Sequence, residues 1–230
     1  MEQFSSRIAY NYLSEAQKTN SGPWIMHSVF AGKAARSIAE KLPELDADLA
    51  EAYGYIHDIG RRFGRVKMRH IIDGYRFLET EGYPEAAKIC LTHSFPAKDI
   101  ENVVEGWDCS EEEYLFAKKF VQSVEFTPYD ELIQLCDFLA MPTGCSVIER
   151  RMVDISIRHC VNEGAIKNWK TLLLLQNKIE EKLGYSIYEL IPGVQENILK
   201  KPIKETMKYT FKEFRSDFDY NFENLGGQNG

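Results

Sequence analysis

Apolar residues recur along this chain at intervals of three and four, the period of an amphipathic α-helix, and seldom in the two-residue alternation of a half-buried strand. A first helix is predicted over 4–18, with Phe4, Ile8, Tyr12, Leu13 and Ala16 on one side and the Ser21-Gly22-Pro23 turn after it. Pro23 suits a first helical position. From Trp24 to Leu42, Met26, Val29, Phe30, Ala34, Ile38 and Leu42 form a core-facing stripe, and His27 shares a face with Ala31, Ala34 and Ile38. Asp46 is placed to cap the next helix, which runs through Leu49, Ala52, Tyr53 and Ile56 to Gly60, a residue that often ends helices. His57 and Asp58 then fall in its last turn.

Further helices are predicted at about 70–81 and 84–94, divided by the turn Gly82-Tyr83-Pro84. A capping box, Ser110 to Glu113, opens one over 111–124, and Thr127-Pro128 opens one over 129–141 that Met141-Pro142-Thr143-Gly144 closes. Two more, near 146–163 and 165–183, have Gly164 and Gly184 as stops. Ile187 to Gly193 gives a short turn of helix, and helical pattern resumes to about 214. Residues 223–230 carry three glycines and are expected to fray. No alternating β-branched run requires a sheet, and no internal repeat is present. The expected fold class is therefore all-α: an N-terminal helix (1–22) on the core, a helical domain (23–145), C-terminal helices (146–222) completing the same domain, and a flexible tail (223–230).

Composition narrows the functions that fit. A chain of 230 residues, 44% hydrophobic, is long enough for one substantial core. Its net charge of -7 argues against nucleic-acid polymers and anionic membranes, which reward basic surfaces. Near the amino terminus, Glu2, Arg7, Glu15 and Lys18 have no long apolar run between them, so neither a signal peptide nor a membrane span is expected. The five cysteines, Cys90, Cys109, Cys136, Cys145 and Cys160, show no C-x-x-C spacing and fit reduced thiols acting as small hydrophobes. A cytoplasmic location is expected.

Against this background a few polar residues stand out. Asp137 lies in Leu132–Met141, apolar nearly all round, with Ile133, Ala140 and Met141 on its own face. An unpaired carboxylate there is costly to bury. A buried salt bridge or cap is one remedy, and a metal ion is the better explanation. His27 by itself fits a satisfied core histidine equally well, but it stands in the helix before the adjacent pair His57-Asp58.

The set His27, His57-Asp58 and Asp137 on successive helices resembles the HD superfamily of metal-dependent phosphohydrolases, over roughly residues 20 to 145. The resemblance implies an HD-domain helical bundle, with additional C-terminal helices here, and a first metal held by His27, His57, Asp58 and Asp137. Such nitrogen and oxygen ligation suits one or two divalent transition-metal ions, Fe, Mn, Zn, Co or Ni. His70 and His93 resemble the positions of relatives that hold a second metal bridged by the aspartate of the pair. Otherwise His70 is a histidine at a helix start, and His93 one that the dipole favours at a helix end. Some relatives have two consecutive histidines at the second position; here Ser94 follows His93, which leaves the second site one ligand poorer. Gly82-Tyr83-Pro84 is similar to a signature of the branch that cleaves cyclic di-GMP, but it precedes His93 instead of following it and is read as a turn.

Between the two ligand groups, Arg61, Arg62, Arg65, Lys67 and Arg69 occur within nine residues without an acid. They make either a solvated basic loop or a clamp for an anionic substrate, with Arg61 and Arg62 the first choices because guanidinium matches phosphate oxygens. His159 is assigned to structure, as are Trp24, Trp107 and Trp169. The function that the resemblance implies is hydrolysis of a phosphate ester or anhydride, in a nucleotide or another small phosphorylated metabolite, with Asp58 and the arginines at the reaction centre. Two alternatives stay open: a di-iron oxygenase on the same fold, and a non-catalytic nucleotide-binding regulatory protein. The chain beyond Gly144 is expected to cover the bundle or to make a homodimer contact.

Overall fold

The structure, a computed structural model, describes residues 2–199 except 65, 102, 104, 105, 159 and 160. Its order is α1 (Ser6–Thr19), α2 (Pro23–Ala39), α3 (Ala47–Ile56), a 3-10 helix (Ile59–Phe63), α4 (Arg69–Thr80), α5 (Pro84–Thr92), α6 (Glu111–Ser123) and α7 (Pro128–Leu139). A two-residue strand pair follows, β1 (Ala140–Met141) with β2 (Gly144–Cys145), then α8 (Ile148–Arg158), α9 (Glu163–Leu183), a second 3-10 helix (Ile187–Glu189) and α10 (Val194–Leu199). The all-α class is as the periodicity predicts. No helix among the described residues is long and apolar enough to cross a membrane. The helical pattern beyond 199, the tail, Arg65, His159 and Cys160 lie outside the described residues.

The caps follow the predicted chemistry. Asp46 accepts from Leu49 N at 3.0 Å, and the Ser110/Glu113 capping box is complete. Thr127 and Asp130 form a second capping box ahead of α7. Gly184 ends α9 in the left-handed region at φ 79°. Gly164 does not stop a helix: Asn162 caps α9 by accepting from Ala165 N at 2.8 Å, which leaves Gly164 inside the first turn. On α1 the buried stripe is Ala9, Tyr10, Leu13 and Ala16, with Ile8 and Tyr12 half-buried, and the Ser6 hydroxyl is anchored to Asp48 in the first turn of α3.

One large core joins side chains of α1, α2, α3, α5, α7 and α9, with Leu13, Ile38, Ile56, Ile133 and Leu172 among its members. A smaller one lies between α4, α5 and α6 around Ile71, Leu91, Phe95 and Val121, and Trp107 packs against it with its indole on Phe95. Cys90, Cys136 and Cys145 are buried free thiols, as small hydrophobes would be, and Cys109 is half-buried.

Three glycines, Gly32, Gly54 and Gly60, set how closely the elements that carry the candidate ligands can pack. At the α2–α3 crossing a Cβ on Gly54 would lie 2.4 Å from Gly32 Cα, so the two backbones touch. Gly60 does not end α3 as expected. The α-helix stops at Ile56 and the chain tightens into the 3-10 helix, because Gly60 lies against α4: a Cβ there would sit 2.0 Å from His70 O and 2.5 Å from Gly74 N. His57 and Asp58 consequently follow α3 and are not part of its last turn, Asp58 having φ -102° and ψ 13°. The strand pair is also a departure, since no sheet was required. It arises because α7 ends two residues before Met141 and the chain reverses through Gly144, at φ 127°. Gly54→Ala is expected to force α2 and α3 apart at a cost of about 3 kcal/mol, the upper end for overpacking. Thermal denaturation reads this directly, and a Gly54→Ala protein as stable as the wild type would show that the crossing can open freely.

Candidate metal centre

Six side chains from five parts of the chain converge on one buried point. His27 comes from α2, His57 and Asp58 from the turn after α3, His70 from the first turn of α4, His93 from the residue that ends α5, and Asp137 from the last turn of α7. His27 Nε2 lies 2.8 Å from Asp137 Oδ1 and 3.1 Å from His57 Nε2, and His57 Nε2 lies 3.4 Å from the same carboxylate oxygen. Asp58 faces two ways. Its Oδ1 is 3.0 Å from His70 Nε2 and 3.7 Å from His93 Nε2, while its Oδ2 is 4.0 Å from His57 Nε2.

The second ring nitrogen of each histidine explains the direction of the first. His27 Nδ1 lies 3.2 Å from Ala140 O, His57 Nδ1 2.7 Å from Gly54 O, and His93 Nδ1 3.0 Å from Cys90 O; His70 Nδ1 is held by Lys67 O. A carbonyl can only accept, so every Nδ1 donates its proton and every neutral ring turns a bare Nε2 lone pair inward. Two such lone pairs 3.1 Å apart cannot bond to each other, as His27 and His57 are placed. A cation between them and the carboxylates removes the conflict; without one, a proton on Nε2 makes a ring a hydrogen-bond donor to Asp137 instead. This also gives the end of α7 a purpose: the helix stops at Leu139, so the Ala140 carbonyl is available to His27.

The electrostatics of these side chains follow the same geometry. Burial opposes charge on Asp58, but the Arg61 guanidinium and the His70 imidazole outweigh it and hold the carboxyl well below the usual range. Asp137 is likewise held low, hydrogen bonds from His27 and His57 overcoming its burial. Burial opposes charge on His57 as well, and Asp137 and Asp58 overcome it and raise the imidazole. His93 is pushed down to about 3 by burial and by neighbouring His57, so it stays neutral and keeps its lone pair.

The ligand atoms fall into three groups, His27/His57/Asp58, His57/His93/Asp137 and Asp58/His70/His93, each within 4.8 Å. Imidazole nitrogen and carboxylate oxygen in this arrangement fit a divalent transition metal. A family model described as HD domain matches residues 24–141, just over half of the chain. The chain belongs to the HD domain family. Comparison with curated proteins and with solved structures gives no match.

The two arginines next to the HD pair part company. Arg61 stays at the centre, its Nε donating to Asp58 Oδ2 at 2.8 Å and its Nη1 to Val66 O at 3.3 Å. Arg62 is not brought to the centre. Its guanidinium lies 4.3 Å over the Phe77 ring and reaches Glu15 at 3.4 Å, on the face toward α1 and α4. Arg69 pairs with Asp73 and Glu113 along and beyond α4, and Lys67 stands at the wall of the cavity above the centre. That cavity measures about 1430 Å³; Trp24, Ser94, Met141 and Asp108 line it together with His27, Asp58, His70, His93 and Asp137.

Two supporting residues make long-range contacts that the sequence does not signal, although Asp130 also closes the Thr127 capping box. Asp108 accepts from Lys67 N at 2.7 Å and from Arg69 N at 2.8 Å, and so fixes the turn whose Lys67 carbonyl orients His70. Asp130 is fully buried, bound by Lys88 and Thr92 at 2.7 Å each, and ties the end of α5 that carries His93 to the helix that carries Asp137. Both partners lie about forty residues away in sequence, so no local motif announces them.

Because Asp58 faces both histidine groups, Asp58→Ala is expected to strip nearly all metal from protein purified without added metal. His70→Ala is expected to lower the metal content to that of a single site. Elemental analysis decides the second point: unchanged metal content in His70→Ala would take His70 out of the site.

Proposed function

We propose that this HD-domain protein is a metal-dependent phosphohydrolase that cleaves a phosphate ester or anhydride of a small phosphorylated metabolite, a nucleotide among the candidates. The observation that carries the proposal is the position of Asp58. It is buried, it is shared by two groups of histidines, and it opens onto a cavity that also holds Arg61 and Lys67. A divalent ion bound at such a centre brings the pKa of a coordinated water toward neutrality and polarises a phosphoryl oxygen.

The chain's own residues supply the rest. His27, His57 and Asp137 hold one side of the centre, and His70 and His93 the other, each ring fixed by a main-chain carbonyl so that no reorganisation is needed during reaction. Arg61 keeps one carboxylate oxygen of Asp58 turned to itself and leaves the other facing His70 and His93. Lys67 and the guanidinium of Arg61 are the cations nearest the histidine–aspartate centre in the segment between the candidate ligands, and they line the cavity where an anionic substrate would lie. Among the described residues no side chain is assigned the part of a covalent nucleophile. Arg62, engaged with Phe77 and Glu15, is assigned to packing α1 against α4 in this mechanism.

The test is phosphate release from a panel of mono-, di- and cyclic nucleotides and small phosphate esters, with metal-stripped protein and Asp58→Ala alongside. Turnover should fall with metal content in both, and Arg62→Gln should retain activity within a few-fold while Arg61→Gln loses at least about a hundredfold, as for loss of a charge-stabilising donor. The same ligand set also suits a di-iron centre. A protein that holds two irons, consumes oxygen and leaves every phosphate intact would replace the hydrolase reading with oxygenase chemistry. Full metal loading with tight nucleotide binding and no turnover would make it a regulatory binder.

A further inference from the structure

The cavity above the metal centre is not built from the HD segment alone. Residues 20–23 close one side of it, and α8, which begins after the matched residues 24–141, adds Arg151 and Asp154 to its wall. Three residues apart, the two share a face of the helix, and Arg151 Nη1 donates to Asp154 Oδ2 at 2.5 Å. The pair is well shielded, with side chains 16% and 32% exposed, and Arg151 Nε is buried without a hydrogen-bond partner. A surface ion pair on a helix has neither property. A guanidinium pinned by one carboxylate loses little freedom when it binds an anion, because its planar fork is already aimed.

The other carboxylates of the wall are engaged elsewhere. Asp108 is bound to main-chain N–H groups, Asp58 to Arg61, and Asp137 to His27 and His57. At about 1430 Å³ the cavity also exceeds the roughly 300–1,000 Å³ typical of a pocket for a drug-sized ligand, far more than one phosphoryl group fills. We propose that Arg151, oriented by Asp154, is a specificity-determining residue that binds a second anionic group of the ligand, remote from the phosphoryl group at the histidine–aspartate centre. The preferred substrate is thus a metabolite that carries a second phosphoryl group away from the reacting one, not a monophosphate. Only the word substrate rests on the hydrolase reading, since the subsite itself is defined by binding.

The experiment measures binding to full-length, metal-loaded protein by calorimetry, using methylphosphonate and a series of alkane-α,ω-bisphosphonates from methylene to hexamethylene, none of which is hydrolysed. At least one bisphosphonate is expected to bind about tenfold more tightly than methylphosphonate, the gain typical of a charge-assisted hydrogen bond. Arg151→Gln should erase that preference while methylphosphonate affinity and metal content stay within twofold, and Arg151→Lys should keep part of it. The proposal is overturned if no bisphosphonate is preferred by the wild type, if the preference survives Arg151→Gln, or if Arg151→Gln weakens both ligands equally. A preference that depends on Arg151 in a protein that turns over no phosphate would sink the hydrolase reading and leave this subsite standing.

Discussion

The rest of the molecule is arranged around a buried charge that its own backbone cannot satisfy. Asp58 is 5% exposed, and an ionised carboxylate so placed costs several kcal/mol unless opposite charge and hydrogen bonds surround it. Arg61 answers for one oxygen and the His70/His93 pair for the other. On the other side of the centre, His27 and His57 point bare nitrogens at each other and at Asp137. Four imidazoles and two carboxylates in one place are a poor protein core and a good cation site. That asymmetry is the physical reason to read the cluster as a metal centre.

Bringing those groups together demands helices that approach more closely than side chains ordinarily permit. Gly32 and Gly54 let α2 meet α3 backbone to backbone, and Gly60 does the same for the 3-10 helix against α4. The second contact carries chemistry as well as packing, because the carbonyl that Gly60 approaches belongs to His70. Main-chain carbonyls of Gly54, Lys67, Cys90 and Ala140 then set the direction of each imidazole. Part of the support for the site is therefore backbone, which only folded helix ends can supply.

A second layer of acids holds the frame. Asp108 fastens the turn before α4, and Asp130 joins α5 to α7 through Lys88 and Thr92. Neither touches the centre, and each acts on an element that carries a ligand. The cavity above gathers its wall from still farther apart, with Trp24 at the start of α2, Met141 in the strand pair and Arg151 on α8. The C-terminal helices thus bear on the site as well as on the core.

What the sequence alone determined is what local physics controls. Apolar spacing located the helices, and local residues announced their starts at Asp46, at Ser110 with Glu113 and at Thr127-Pro128, because a cap bonds within its own turn. The candidate ligands were named for a different reason: His27, the His57-Asp58 pair, His70, His93 and Asp137 stand in an order that resembles the HD superfamily, and the fold brings atoms that could bind a metal together. Tertiary structure decided everything that depends on approach between distant segments. It ended α3 at Ile56 because Gly60 must lie on α4, and it ended α7 at Leu139, where the Ala140 carbonyl meets His27. It also separated Arg61 from Arg62, neighbours with the same chemistry in the sequence. In the tight 3-10 turn one guanidinium reaches the centre and the other falls on Phe77, and no pattern along a chain encodes which way a turn will face until its packing partners are in place.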